Sequence, residues 1–160
     1  MRRLRPEMLA GLAFAAAVLA AAGGVGVRYW QIERAGEARD RELVVLGECR
    51  PWAGWCEART GGLALRLRFD GPAVPLRRFR VRVEARGPAR PEAVDVRFEM
   101  PGMEMGQRPL KLAPDGAGGW SGEAVLPVCA TGRTDWVAVV RALLGAGEGG
   151  WVARFPFVLR

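Results

Sequence analysis

Leu63-Ala64-Leu65-Arg66-Leu67-Arg68-Phe69 alternates large apolar side chains with small or charged ones. On an extended chain that period puts Leu63, Leu65, Leu67 and Phe69 on one face and Arg66 and Arg68 on the other, the pattern of a half-buried strand. Gly71-Pro72 and Pro75 end it. The alternation returns in Phe79, Val81 and Val83, set between Arg78, Arg80, Arg82 and Glu84, and again in Val94, Val96 and Phe98. Pro109 to Ala113 reads as a short strand, Pro114-Asp115-Gly116 through Gly119 as a hairpin-type turn, and Trp120 to Leu126 as the next strand. Thr134 to Leu144 and Trp151 to Leu159 follow, separated by the turn Gly145 to Gly150, with helix over Trp136 to Leu144 as the competing assignment. About seven short strands with regular turn signals predict an all-β sandwich.

Upstream the chain changes character. Arg2, Arg3 and Arg5 precede an uncharged run from Leu9 to Val27, which as a helix spans about 28 Å, close to the hydrocarbon thickness of a bilayer. Arg28-Tyr29-Trp30 supplies an interfacial stop. A retained anchor, with the basic end in the cytoplasm, is preferred over the alternative of a signal peptide cleaved after Ala20-Ala21-Ala22. Either way the bulk of the protein is exported. Residues 1–30 are thus the cytoplasmic tip and membrane anchor. Residues 31–42, rich in Glu, Arg and Ala, read as a charged helical stalk, and residues 43–160 as the periplasmic domain.

The chain of 160 residues is 50% hydrophobic with a net charge of +7, a composition for one domain plus an appendage. Such a charge suggests nucleic acid. However, Lys111 is the only lysine and the other cations are arginines in an Ala- and Gly-rich chain; with the export segment, this argues against a nucleic-acid partner. Histidine is absent. That removes histidine-based zinc and copper sites, the Ser-His-Asp triad and the commonest general base, and no paired-carboxylate motif replaces them. An enzyme with a small-molecule substrate is not expected.

Sulfur is the remaining chemistry. Cys49 and Cys56 flank Arg50-Pro51-Trp52-Ala53-Gly54-Trp55, and outside the cytoplasm they make a plausible disulfide, contributing about 2 kcal/mol. The alternative is a redox-active or copper-binding dithiol. Met100, Met103 and Met105 cluster in Phe98-Glu99-Met100-Pro101-Gly102-Met103-Glu104-Met105-Gly106. Thioethers suit Cu(I), and Pro101-Gly102 is a turn signal that can bring Met100 back toward the other two. The alternative is that all three fill gaps in a core. Cys129 is either a fourth, thiolate ligand, a small buried hydrophobe, or a partner for Cys49 or Cys56. Arg133 with Asp135 reads as a structural loop pair.

Phe98 to Gly106, Leu110, Gly119-Trp120, Leu126 to Cys129, and Gly132-Arg133 with Trp136 together resemble small membrane-anchored bacterial proteins associated with Sco-type copper chaperones. More distantly they look like the FixH and YtkA-like domains. The resemblance implies a periplasmic β-sandwich tied to copper handling and cytochrome oxidase assembly. This chain departs from copper-handling patterns in lacking histidine, which leaves Cu(I) rather than Cu(II). The expectation is therefore an immunoglobulin-like β-sandwich behind one transmembrane helix, single-pass in a bacterial inner membrane. It would hold Cu(I) at Met100, Met103, Met105 and Cys129, beside a Cys49–Cys56 bridge, with a protein partner in a membrane or copper-delivery complex. The competing expectations are a metal-free docking module and, third, a thiol oxidoreductase.

Overall fold

The alternating segments pair with one another and leave one face of each strand dry. A computed structural model describes residues 40–103, 108–128, 132–145 and 149–159. The strands are β1 Arg41–Val45, β2 Cys56–Thr60, β3 Leu63–Asp70, β4 Arg78–Arg86 and β5 Ala93–Glu99. They continue as β6 Leu110–Pro114, β7 Trp120–Val125, β8 Asp135–Leu143 and β9 Gly150–Val158. The all-β expectation holds. Where helix competed over Trp136 to Leu144, the chain is strand β8, in keeping with its β-branched Val137, Val139 and Val140.

The strand count differs from the expected seven: there are nine among the described residues. The added pair, β1 and β2, flanks the disulfide loop, and β1 begins at Arg41 and Glu42, the last residues of the stalk expected to be helical, which are strand instead. Only Leu43 of β1 is buried, and β2 turns in the small Cys56 and Ala58, so neither shows a strong apolar alternation. The strands close in the order β1-β2-β3-β4-β7-β6-β5-β8-β9. The first strand meets the last through the parallel pairs Arg41↔Trp151, Glu42↔Val152 and Leu43↔Ala153. The ladders form two sheets that share β1 and whose outer strands β5, β6 and β7 are joined through β6.

Inward-facing residues fill the interior. Phe69, at 0% exposure, packs against Phe79, Phe157 and Phe98 with ring centroids 4.9, 5.4 and 6.1 Å apart, in the tilted and edge-on arrangements that aromatic quadrupoles favour. Outward, β3 and β4 present the arginines of the sequence pattern. Arg66 pairs with Glu84 at 2.9 Å and Arg82 with Asp70 at 2.9 Å. Arg68 and Arg80 make no ion pair among the described residues.

The pairings sort the loops between two ends. Asp70↔Arg80, Arg78↔Val125, Val96↔Leu110, Glu99↔Val137 and Asp135↔Val158 put the ends of β3, β5, β7 and β9 and the starts of β4, β6 and β8 together. Cys56↔Leu67 adds the start of β2. At the other end lie the start of β1 and the hairpin Gly61–Gly62, whose φ values of 52° and 82° suit a two-residue primed turn.

Truncating the ring at the centre of the aromatic cluster tests the packing account. Phe69→Ala is expected to lower unfolding free energy by about 3–5 kcal/mol, measured by urea denaturation with the disulfide intact.

Candidate functional site

The end that gathers β5, β7 and the disulfide loop carries the sulfur chemistry. Cys49 and Cys56 are bonded, with Cα atoms 5.2 Å apart. The loop they close is sewn onto the barrel: Phe69 donates its N–H to the Pro51 carbonyl at 2.8 Å. Trp52 meets Phe157 edge-on at 6.4 Å over the barrel mouth, and Trp55 lies on the outer face under the Arg66 guanidinium, 4.8 Å from its ring centroid.

β5 runs directly into the methionine segment. Met100 and Met103 form an isolated antiparallel bridge, and the Met103 N–H donates to the Met100 carbonyl at 3.0 Å. Between them Pro101 and Gly102, with φ of 76° at the glycine, make the type II pattern that proline and glycine favour. Residues directly opposite across such a bridge project to the same face, with Cβ atoms roughly 4.5–5.5 Å apart. Their surroundings differ: Met100 is 1% exposed and belongs to the core, whereas Met103 is 40% exposed. The pair thus spans the boundary between interior and solvent. Met105 and Cys129 lie outside the described residues.

Arg133 fixes the turn. Its Nη1 donates to the Pro101 carbonyl at 2.8 Å, while Nε and Nη2 grip both oxygens of Asp135 at 2.9 and 2.5 Å. The guanidinium holds the Asp135 carboxyl below the usual aspartate range. The sequence reading of Arg133 and Asp135 as a loop pair missed the third partner, because a backbone carbonyl leaves no mark on the residue pattern. Val128 and Gly132, on either side of Cys129–Thr131, line one small cleft with Pro75, Pro127, Trp136 and Leu159. Both stems of the Cys129 segment therefore stand at the methionine end.

A larger cleft, of about 580 Å³, lies beside it, between the disulfide loop and the last residues of β9. Trp52, Trp136, Pro101 and Pro156 line it together with Glu48 and Arg50. Trp136 is 1% exposed and its Nε1–H has no acceptor among the described residues, an unmet donor that ordinarily costs about 1–3 kcal/mol. The sequence reading did not place these residues around one opening.

Among the described residues no three His, Cys, Asp or Glu side chains converge as a metal site, and no helix is long and apolar enough to cross a membrane. The Leu9–Val27 run and the residue 31–42 stalk, save its last three residues, lie outside the described residues. No family model, curated protein or solved structure matches the chain.

Two outcomes follow from this geometry. Replacing Cys49 and Cys56 together by serine is expected to cost about 2–3 kcal/mol of stability through the released loop, read by denaturant unfolding. The Arg133–Asp135 link has the depressed-carboxyl sign: it is fully present above the unfolded aspartate pKa, about 4, and is lost as pH falls through the lower folded value. The Met103 methyl NMR signal should hold steady from pH 7 to about 5 and move only below about 4, whereas in Asp135→Asn that acid transition should be absent.

Proposed function

We propose that the chain is a membrane-anchored accessory protein of the bacterial periplasm that holds Cu(I) at its methionine end during assembly of a respiratory oxidase. The observation that carries this reading is the Met100–Met103 bridge, clamped through Pro101 by Arg133 next to the stems of the Cys129 segment. Two soft thioethers on one face, one buried and one open, are half of a Cu(I) ligand set, and Met105 and Cys129 would supply the rest. Copper bound there would be cargo held for transfer, and no catalysis is assigned. The barrel, with its two ladders, is read as a flattened form of the expected immunoglobulin-like β-sandwich, with the Cys49–Cys56 bridge as a structural staple.

A second reading is favoured by one observation. Met100 is as buried as the core phenylalanines, and a thioether so placed packs well without a metal. On that reading the molecule is a metal-free docking module for a membrane complex.

The triple variant Met100→Leu, Met103→Leu, Met105→Leu separates them, since leucine keeps the volume and removes the sulfur. Competition with a Cu(I) chelator under reducing conditions should show an affinity at least about tenfold weaker in the variant. Unchanged affinity, or no Cu(I) uptake by the parent protein, leaves only the docking reading.

A further inference from the structure

The outer face of β3, β4 and β7 holds more guanidinium than carboxylate, and the surplus lies toward the methionine end. Residues directly opposite across antiparallel strands project to the same face. Arg80 therefore has Asp70 on one side and Glu123 on the other. Both carboxylates are taken by diagonal neighbours instead: Arg82 donates to Asp70 at 2.9 Å, and Arg78 pairs with Glu123 at 3.2 Å. Arg68 sits opposite another cation, Arg82, an arrangement that by itself costs stability. Arg68, Arg77 and Arg80, all exposed, thus make no ion pair among the described residues.

The same corner presents apolar side chains to water. Leu76, Val125 and Val128 are 70%, 47% and 61% exposed. Val125 lies opposite Arg78. Leu76 donates its N–H to the Leu126 carbonyl at 2.9 Å, and Val128 lines the small cleft with Pro75. The backbone there is fixed in advance. Pro75 and Pro127 stand beside the two bonded residues, and Leu76 is held at a φ of 60°, a conformation that glycine enters freely and leucine only at a cost. It is the only non-glycine residue at positive φ among the described residues. Glycine would suit the backbone better, yet the position carries a large side chain turned mostly to solvent.

We propose that this corner is a docking surface for a partner protein whose own surface sets acidic side chains around an apolar centre. Charge complementarity argues for that occupant. Partner carboxylates would meet Arg68, Arg77 and Arg80, while Leu76, Val125 and Val128 supply the apolar middle. A second copy docking symmetrically would instead bring the same arginines face to face. On the anchored reading lipid is disfavoured by position, because the chain enters the barrel at Arg41, at the opposite end. The proposal deepens the docking reading, rests on its claim that a partner protein binds, and is independent of Cu(I).

The test uses the full chain in detergent, copper-free, panned against displayed random peptides, with methyl NMR on complexes with the synthetic winners. Winners should combine Asp or Glu with large apolar residues and shift the Leu76, Val125 and Val128 methyl signals. Their affinity should fall at least about tenfold when Arg77→Ser is combined with Arg80→Ser, and by a similar factor in Leu76→Gly. Leu76→Gly should also keep or raise the thermal midpoint, because it removes the unfavourable φ along with the side chain. A lower midpoint makes Leu76 a packing residue and overturns the proposal. Should the arginine variant fail to fold, about 1 M salt must weaken the winners on the parent protein by the same factor. Winners without acidic residues, or winners that move only other methyls, leave the docking reading standing and overturn this one. A selection that yields no winner overturns it as well. Methyl shifts that grow with protein concentration, without peptide, assign the corner to a second copy. Shifts induced by phosphatidylglycerol micelles or duplex DNA, but by no winner, assign it to lipid or nucleic acid. Each of these results also overturns the proposal.

Discussion

A half-buried sheet must find a second apolar surface for its inner face and partners for its outer strands. In this molecule both needs meet in the short strand β1. It is antiparallel to β2 on one side and parallel to β9 on the other, and so joins the first strand to the last. Without it β2 and β9 would expose free edges beside the phenylalanine cluster. A partly buried ion pair stands at its root: Arg141 on β8 donates to Asp40 at 2.6 Å. Burial raises the nearby Asp95 carboxyl, while Arg141 and Arg97 pull it down. The closing strand is thus held where charges are most desolvated, and it loosens toward the end where the sulfur lies.

That contrast organises the functional end. The disulfide, the Pro101–Gly102 turn and the Arg133 clamp each restrain a connection that the sheet itself does not hold. The bridge joins a thioether held in the core by packing to one that solvent reaches. The same end keeps a tryptophan N–H without an acceptor among the described residues.

Much of the architecture was legible in the residue pattern. Leu63 to Phe69, Phe79 to Val83 and Val94 to Phe98 alternate because each strand has one wet face, and each is a strand here. β1 and β2 were not legible, since they are short and carry few large inward side chains. The closure they provide depends on pairing between the two ends of the domain, which no local window contains. β8 was ambiguous with helix because Val139 and Val140 are both buried, at 4% and 0% exposure, and blur its period. At the site, residue types pointed to soft-metal chemistry and to the disulfide. The contact of Arg133 with a backbone carbonyl joins residues far apart in the chain and so is invisible in any local window.

The placement of β1 has one more consequence. Its first residue, Arg41, sits across from Trp151 at the base of β9, while Met100 and Met103 sit beyond the top of β5. Nine residues of β9 extend about 30 Å, or roughly 20–25 Å of elevation once a barrel strand's slant is allowed for. On the anchored reading proposed above, a tether ahead of Asp40 would hold the molecule by this foot, with Met100 and Met103 at the opposite end. A partner that reached them on that reading would have to stand clear of the lipid headgroups rather than sit within the bilayer.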